Sequence, residues 1–258
     1  MSKRSGPKRV LKAVLKKLRF QASRPHVSGY ENRVLVNEVI RKTLLRREEM
    51  HLQKHINLPE LRSLVGFMLA NLKEGSRVLD FGGGAGTHFD SLQQLYPEKS
   101  LEYFVIETEM MSSLAAKARS GDTNLHFMSF NLLPDFQPNF QVLIANSSLQ
   151  YVEKPLNALS TLLDLFPEYV YITRCPLTQS KDQLCINQIS KLSDNGPSAK
   201  SEGQDVEVKY TANVVPYKDF KELLQKNHKI LLEIKEEGAP FGNEYPDIDS
   251  WGFICKVN

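Results

Sequence analysis

Short apolar runs alternate with helical patterns along most of the chain from residue 76 onward. The apolar runs predict five strands, over residues 76–81, 101–107, 124–129, 140–146 and 168–174. The intervening and following segments have helical spacing, over residues 87–96, 109–119, 155–165 and 217–227. This alternation is typical of a parallel sheet that helices cover on both faces. The last two apolar runs, 229–235 and 250–257, have no helical pattern between them and predict an antiparallel edge. We therefore predict an α/β fold with a Rossmann-like, doubly wound, mostly parallel sheet and an antiparallel C-terminal edge strand.

Two amphipathic helices are predicted ahead of the first strand. Residues 31–55 carry Val36, Val39, Ile40 and Leu44 on one face. A second helical pattern has its apolar residues at Leu61, Leu64, Val65, Met68, Leu69 and Leu72. Pro59 and Gly75 stand where a helix commonly begins and ends. We expect helical cover over residues 30–55 and one main domain over 56–258. Residues 190–209 are polar and rich in Ser, Gly and Lys, which predicts a mobile surface loop or lid.

The first 29 residues form a basic amphipathic tail. Residues 1–30 contain nine Lys and Arg and no acidic residue, and apolar side chains recur at helical spacing among them. Such a helix can bind an anionic membrane surface, with roughly 1 kcal/mol from each basic residue near the surface. We predict that contact for residues 1–24; a solvated basic N-terminus and a mitochondrial presequence remain the alternatives.

Composition excludes several classes of protein. The 258 residues are 41% hydrophobic and 24% charged, as in an ordinary globular domain, and no run approaches the roughly 18 apolar residues of a spanning helix. The net charge is +3, but the chain after residue 30 is acidic, with 24 basic and 30 acidic residues. This excess of acidic residues argues against a nucleic-acid groove in the main domain. The three cysteines have no CxxC spacing, and no metal-ligand cluster can be assembled. We predict no metal and a reducing, cytoplasmic setting.

The sharpest motif follows the first strand. Asp80 and Phe81 lead into Gly82, Gly83, Gly84, Ala85 and Gly86, with a helix beginning near Thr87. Glycines permit tight turns and close approach of backbone to a ligand, and a helix N-terminus attracts anionic groups. This pattern predicts a nucleotide site at the carboxyl end of the strand. Thr87 stands where a dinucleotide fingerprint has its third glycine, which disfavours NAD and FAD.

This loop resembles motif I of the Rossmann-like class of S-adenosylmethionine-dependent methyltransferases. The resemblance implies S-adenosylmethionine as the cofactor, with Asp80 and the four glycines contacting it. It also implies that Glu107, at the end of the second strand, accepts hydrogen bonds from both ribose hydroxyls. Phe130 and Asn131 occupy the family's adenine-binding segment, where Asn131 replaces the more usual aspartate. Ser147 follows the fourth strand, where these enzymes build the wall that faces the methyl group.

A narrower resemblance covers most of the chain from about residue 29. In order, its pieces are Gly29-Tyr30-Glu31, LDFGGGAGTHF (79–89), FVIE (104–107), NSSLQYV (146–152), ITRCPL (172–177) and WGFICK (251–256). They look like methyltransferases encoded in bacterial surface-polysaccharide clusters of the O-antigen type. The resemblance implies O-methylation of a sugar or glycan acceptor. A lipid-linked acceptor would explain the tail, with the protein cytoplasmic and peripheral at the inner face of the membrane. A cofactor-binding but inactive partner protein, and an RNA or protein methyltransferase, are the alternatives.

Three side chains are candidates for catalysis. His88 lies in the first turn of the helix after the glycines, where the helix dipole favours the neutral imidazole that can deprotonate a sugar hydroxyl. A surface or core histidine is the alternative. Tyr151 either lines the acceptor side or packs against the sheet. Arg174, at the end of the fifth strand, either binds an anionic acceptor such as a phosphate or uronate, or pairs with a nearby carboxylate.

Overall fold

The structure is a computed structural model that describes residues 31–52, 72–135, 139–192, 195–196, 207–237, 240–242 and 244–258. Its α-helices are α1 (Arg33–Leu52), α2 (Thr87–Leu95), α3 (Glu109–Ala118), α4 (Pro155–Leu163) and α5 (Tyr217–Gln225). Its strands are β1 (Arg77–Phe81), β2 (Glu102–Glu107), β3 (Leu125–Ser129), β4 (Val142–Asn146), β5 (Tyr169–Thr178), β6 (Leu184–Lys191), β7 (Glu207–Pro216), β8 (His228–Glu236) and β9 (Ile248–Val257). Two 3-10 helices cover Phe130–Asp135 and Leu149–Tyr151. The basic tail and the helix predicted over 61–72 lie outside the described residues, except for Leu72.

One mixed sheet organises the described residues. Strands β3, β2, β1, β4 and β5 lie side by side and parallel, and β9 continues the sheet antiparallel to β5, with β8 antiparallel to β9. The predicted fold class, including the antiparallel C-terminal edge, is confirmed. The carboxyl ends of the parallel strands meet at one edge of the sheet, which brings the glycine loop, Glu107 and the residues after β4 together.

A hairpin that the sequence analysis missed rises beside this edge. Strands β6 and β7 pair antiparallel, and β7 joins the sheet next to Leu177 and Thr178, in the extended end of β5. The prediction of a loop over 190–209 was therefore wrong at both ends, because β6 continues to Lys191 and β7 begins at Glu207.

The core lies on both faces of the sheet. Neighbouring residues of a strand point to opposite faces, so Val78 joins one buried cluster and Leu79 joins the other. The side chains of both clusters are almost fully buried, which fits the almost continuous apolar runs of the inner strands. The helices that follow β1 and β2 therefore start from fixed positions at the carboxyl edge.

Helix α1 covers the glycine loop. Its buried residues Leu35, Val36 and Val39 pack with Ala85 of the loop and Met111 of α3. This apolar stripe matches the face predicted from the sequence. The N-terminal cover is thus held against the part of the sheet that carries the glycine motif.

Candidate cofactor and acceptor site

The glycine loop follows β1 in a conformation that side chains would not tolerate. Gly82, Gly84 and Gly86 have φ values of +74°, +61° and +91°, in the left-handed region that favours glycine. A Cβ on Gly82 would lie 2.3 Å from the Cβ of Ser148, so the loop also passes very close to the residues after β4. The sequence prediction of a tight turn that opens a helix agrees with this geometry.

Glu107 fixes the middle of the loop from the neighbouring strand. Its Oε1 accepts a hydrogen bond from the Gly84 amide at 3.0 Å, and its Oε2 accepts one from the Thr108 amide at 3.0 Å. Burial raises the pKa of Glu107 to about 7, against the lowering effect of these two amides, and the charge of Asp80 raises it further. The carboxyl group is therefore about half ionised at neutral pH, and each oxygen keeps a lone pair for another donor.

A buried hydrogen-bond chain runs from β2 through β1 to α2 and β4. Asp80 is fully buried, and its Oδ2 accepts hydrogen bonds from the Tyr103 hydroxyl at 2.7 Å and from His88 Nδ1 at 2.9 Å. His88 Nε2 lies 3.3 Å from the side-chain nitrogen of Asn146. A carboxylate only accepts, and an amide nitrogen only donates, so both contacts select the neutral tautomer with the proton on Nδ1. His88 Nε2 then carries the basic lone pair.

Tyr103 is a member of this chain that the sequence analysis missed. Burial, followed by the charge of Asp80, raises its pKa well above the ordinary value, so the hydroxyl remains a donor. The continuous apolar run of a core strand predicts only a buried aromatic at this position. Its partner Asp80 lies 23 residues away in sequence and becomes visible only when β1 and β2 pair.

A charge network centred on the buried Arg119 lies next to the glycine loop. Arg119, at the end of α3, donates to the carbonyl of Ala85 at 3.1 Å and pairs with Asp90 at 2.6 Å and Asp122 at 2.6 Å. Arg47 of α1 pairs with Asp122 at 2.8 Å. Ion pairs that are buried and hydrogen-bonded tolerate little displacement, so this network fixes the backbone of the loop.

The acceptor side begins where β4 ends. Ser147 has a φ of +54°, and its amide donates to the carbonyl of Thr173 at 2.9 Å. Tyr151 packs edge-on against Tyr210 of the hairpin, with ring centroids 5.3 Å apart. Burial raises the pKa of Tyr151 to about 12, while the positive charge of Arg174 lowers it. Arg174 follows Thr173 directly, so it lies at the same edge of the sheet as the segment that carries Ser147 and Tyr151.

Tyr210 is the second residue that the sequence analysis missed. Val208, Tyr210, Ala212 and Val214 alternate with polar residues, which is the strand signal that could have revealed β7. The hairpin carries Tyr210 between the acceptor side and the cluster beneath α1. The hairpin therefore packs against the segment that carries Tyr151.

Phe130 and Asn131 lie directly after β3. Phe130 is partly buried and meets Phe81 edge-on at 5.6 Å, whereas Asn131 is exposed. Their 3-10 helix starts at the same edge of the sheet as the glycine loop. Phe130 is thus fixed by core packing, and Asn131 has the freedom to meet a ligand.

The donors and acceptors of this edge fit S-adenosylmethionine. Oδ1 of the buried Asp80 has no hydrogen-bond partner among the described residues, and a buried carboxylate oxygen needs a donor. The ammonium group and the ribose hydroxyls of S-adenosylmethionine are donors, and its carboxylate suits a helix N-terminus such as that of α2. Glu107 offers the matching acceptor for hydroxyl groups.

The fold and this edge define a nucleotide-binding α/β protein with the motif order of a methyltransferase. The chain belongs to the methyltransferase domain family, which matches residues 52–196, more than half of its length. It is a methyltransferase, and S-adenosylmethionine is its cofactor. None of the curated proteins compared with the chain matches it.

Solved structures share the fold at low sequence identity. A sarcosine dimethylglycine methyltransferase from Galdieria sulphuraria is 7% identical with a TM-score of 0.52, over 77% of this chain and 84% of that one. The cyclase SpnF is 13% identical with a TM-score of 0.51, over 92% of this chain and 99% of that one. Magnesium protoporphyrin IX methyltransferase from Synechocystis, solved with S-adenosylmethionine, is 12% identical with a TM-score of 0.47, over the full length of both chains.

The described part of the chain contains neither a metal-binding cluster nor a membrane-spanning helix. No group of three His, Cys, Asp or Glu residues there is arranged to hold a metal ion. None of the helices there has the length and apolar character needed to cross a bilayer.

Proposed function

We propose that the protein transfers the methyl group of S-adenosylmethionine to a hydroxyl oxygen and that His88 is the general base. The observation that carries this proposal is the 2.9 Å hydrogen bond between His88 Nδ1 and the buried Asp80. A hydroxyl group is a weak nucleophile until a base removes its proton, whereas a neutral amine is nucleophilic without one. An oriented histidine base at this edge therefore favours an oxygen acceptor.

The cofactor-binding roles follow from the same edge. The glycine loop of Gly82, Gly83, Gly84 and Gly86, together with Asp80, would hold the cofactor. Glu107 would accept the ribose hydroxyls, and Phe130, Asn131 and Ser147 would contact the nucleoside and the reactive end. The bound cofactor supplies a methyl group on a positively charged sulfur, which is already an activated electrophile. The protein's contribution is then to orient the acceptor and receive its proton on His88 Nε2, in place of the Asn146 contact.

Tyr151 and Arg174 complete the acceptor side in this proposal. The raised pKa of Tyr151, about 12, keeps its hydroxyl protonated and suits a donor rather than a base. Arg174 is exposed and forms no ion pair with any described carboxylate, so its guanidinium is available to an anionic group on the acceptor. Phosphate and uronate are groups of this kind.

We further propose that the acceptor is a sugar or glycan of bacterial surface-polysaccharide synthesis, in lipid-linked form. The sequence pieces shared with methyltransferases of such clusters support this class of acceptor. The basic tail supports a lipid-linked form, because residues 1–24 can hold the protein at the inner, anionic face of the membrane.

Transfer of labelled methyl groups tests the reaction. Purified protein is incubated with methyl-labelled S-adenosylmethionine and either nucleotide sugars or lipid-linked glycans extracted from cell envelopes. Alkali-stable label that mass spectrometry of the hydrolysed sugars assigns to an O-methyl sugar identifies an ether and supports O-methylation of a hydroxyl. Label that alkali releases, or that enters only RNA or protein, contradicts it.

The role of His88 is tested by His88→Gln, with His126→Gln as the matched control. His126 is half-buried in β3, at the edge of the sheet, where it stacks on Phe104. We expect His88→Gln to slow transfer by about 10²–10⁴-fold, the usual contribution of general base catalysis, with cofactor affinity unchanged. Equal losses in both variants would remove His88 from the mechanism.

The membrane contact is tested separately by deleting residues 2–24. The full chain should sediment with anionic liposomes at low salt and release at high salt, because the contact is electrostatic. If the deleted protein sediments as the full chain does, the membrane proposal fails and the methyl transfer proposal is unaffected.

A further inference from the structure

Strand β5 contains a bulge at Thr173 and Arg174, beside the proposed acceptor side. Ile172 pairs with Phe253 of β9 and Cys175 pairs with Trp251, so Thr173 and Arg174 lie opposite the single residue Gly252. Arg174 has a φ of +53°, in the left-handed region that is strained for a non-glycine residue. Such bulges turn a side chain away from its regular direction and persist only when neighbours hold them.

The carboxylate of Glu236 holds this bulge. Its Oε2 accepts hydrogen bonds from the Arg174 amide at 2.9 Å and from the Ser250 hydroxyl at 2.6 Å, and its Oε1 accepts one from the Thr173 hydroxyl at 2.5 Å. A Cβ on Gly252 would lie 3.3 Å from Oε1, so glycine provides the room for the carboxylate. Glu236 thus replaces the sheet partner that the bulge takes away from the Arg174 amide.

The geometry leaves the Arg174 guanidinium available although a carboxylate lies next to its own backbone. Glu236 uses its oxygens on one amide and two hydroxyls, and no described carboxylate forms an ion pair with the guanidinium. The charge of Arg174 nevertheless reaches the Tyr151 hydroxyl. Arg174 directly follows Thr173, whose carbonyl accepts from the Ser147 amide, so it lies at the same edge of the sheet as the segment that carries Tyr151.

We infer that Glu236 is a positioning residue for the acceptor, which fixes Arg174 where it meets an anionic group beside the reacting hydroxyl. This inference rests on the proposed role of Arg174 in acceptor binding. A displacement of about 1 Å in a residue that orients a substrate reduces rates strongly, so a rigid bulge is useful at this place. An ionised carboxylate accepts all three hydrogen bonds, whereas an amide at position 236 turns its nitrogen either to the Arg174 amide, which cannot accept, or to the Thr173 hydroxyl, which must then reverse.

The test uses phenyl phosphate as an anionic probe in the presence of saturating S-adenosylhomocysteine. The phosphate group is chosen to bind Arg174, and the aromatic ring is chosen to pack against Tyr151 and Tyr210. Binding is followed by calorimetry and by the side-chain Nε resonance of Arg174 in protein labelled with ¹⁵N-arginine. Affinity for S-adenosylhomocysteine is measured in parallel as the readout for the cofactor side.

The key variant is Glu236→Gln, compared with Arg174→Gln and with the control Glu233→Gln. Glu233 lies on the same strand and pairs with Lys221 at 2.7 Å instead of with the bulge. We expect phenyl phosphate affinity to fall at least tenfold in Arg174→Gln, as for lost charge-assisted hydrogen bonds, and about three- to tenfold in Glu236→Gln, where the guanidinium remains but is no longer held in place; it should stay constant in Glu233→Gln. Cofactor affinity should stay constant in all three.

The direction of the effect separates positioning from simple electrostatics. Removing a negative charge beside an anion site strengthens anion binding by Coulomb's law, so a weaker complex in Glu236→Gln requires that Arg174 has moved. Unchanged or tighter phosphate binding in Glu236→Gln overturns the inference. Wild-type affinity in Arg174→Gln removes Arg174 as the anion site, while methyl transfer is judged by the His88 experiment alone.

A milder variant covers the case in which Glu236→Gln does not fold. Ser250→Ala removes one of the three hydrogen bonds to Glu236 and leaves the charge in place. We expect a smaller loss of phosphate affinity and a broader or shifted Arg174 resonance. An unchanged affinity with an unchanged resonance in Ser250→Ala overturns the inference in that case.

Discussion

Replacing Glu107 by glutamine should weaken cofactor binding and also remove most of its pH dependence. In the free protein, burial raises the pKa of Glu107 to about 7 from an ordinary 4.5. In the proposed site, the ionised form is the one that accepts two ribose hydroxyls. Protons and cofactor therefore compete for this carboxyl group, and lowering the pH through 7 must weaken binding.

The magnitude follows from the ionised fraction. With a pKa of about 7, the carboxyl group is about nine-tenths ionised at pH 8 and about one-tenth ionised at pH 6, so the apparent Kd should rise about tenfold between them. Glutamine has no such titration. It also presents an amide nitrogen to the amide of Gly84 or Thr108, each now 3.0 Å from a carboxylate oxygen. Loss of hydrogen bonds to a charged group, worth about 1.5–3 kcal/mol, predicts a Kd higher by about 10- to 150-fold at pH 8.

The assay is calorimetric titration with S-adenosylhomocysteine and with 5′-methylthioadenosine, which lacks the titrating amino acid group. The matched control is Glu102→Gln, because Glu102 lies at the other end of β2 and pairs with Arg77 at 2.9 Å on the surface. The control should keep both the affinity and the pH dependence of the wild type. A flat pH profile in the wild type, or the same slope in Glu107→Gln, would refute the reasoning.

Two further predictions concern the support of the loop. Gly82→Ala should abolish cofactor binding and lower the melting temperature, because its Cβ would lie 2.3 Å from that of Ser148, whereas Gly121→Ala meets nothing within 4 Å and should be neutral in both thermal and binding assays. Arg119→Met should lower the free energy of unfolding in urea by about 3–5 kcal/mol, because it leaves the buried Asp90 without its main partner. Arg77→Met, at an exposed pair, should cost about 0–1 kcal/mol. Similar losses in the members of either pair would contradict the packing on which these predictions depend.

The sequence predicted those parts of the molecule that depend on local pattern. Apolar runs between turn signals fixed β1 and β2 to within one residue, and the glycines after Asp80 indicated the ligand edge. The tertiary contacts of the site left no such mark. Tyr103 has the appearance of any core tyrosine until β1 brings Asp80 to it, and Glu236 reaches Arg174 across 62 residues of sequence. The bulge at Thr173 and Arg174 follows from the register of β5 against β9, which no local sequence pattern encodes.

The hairpin shows a different reason for a missed element. Residues 184–191 and 207–216 flank a polar segment whose composition suggested one long loop. Their alternation is weakened by Gln188 in β6 and by the small Ala212 in β7, so composition outweighed period in the prediction. The hairpin matters for the proposed acceptor site, because it packs Tyr210 against Tyr151.

The most direct test of the central claim is titration of the purified protein with S-adenosylmethionine, S-adenosylhomocysteine and NAD, beside the variant Gly84→Val. Gly84 has a φ of +61°, which is strained for valine. A Cβ at this position would lie 3.4 Å from Val39 of α1, so the larger valine side chain would also clash with that helix. The account predicts micromolar binding of both sulfur nucleotides, no binding of NAD, and a loss of at least about tenfold in the variant. Binding of NAD, or no binding of either sulfur nucleotide by the wild type, would contradict it.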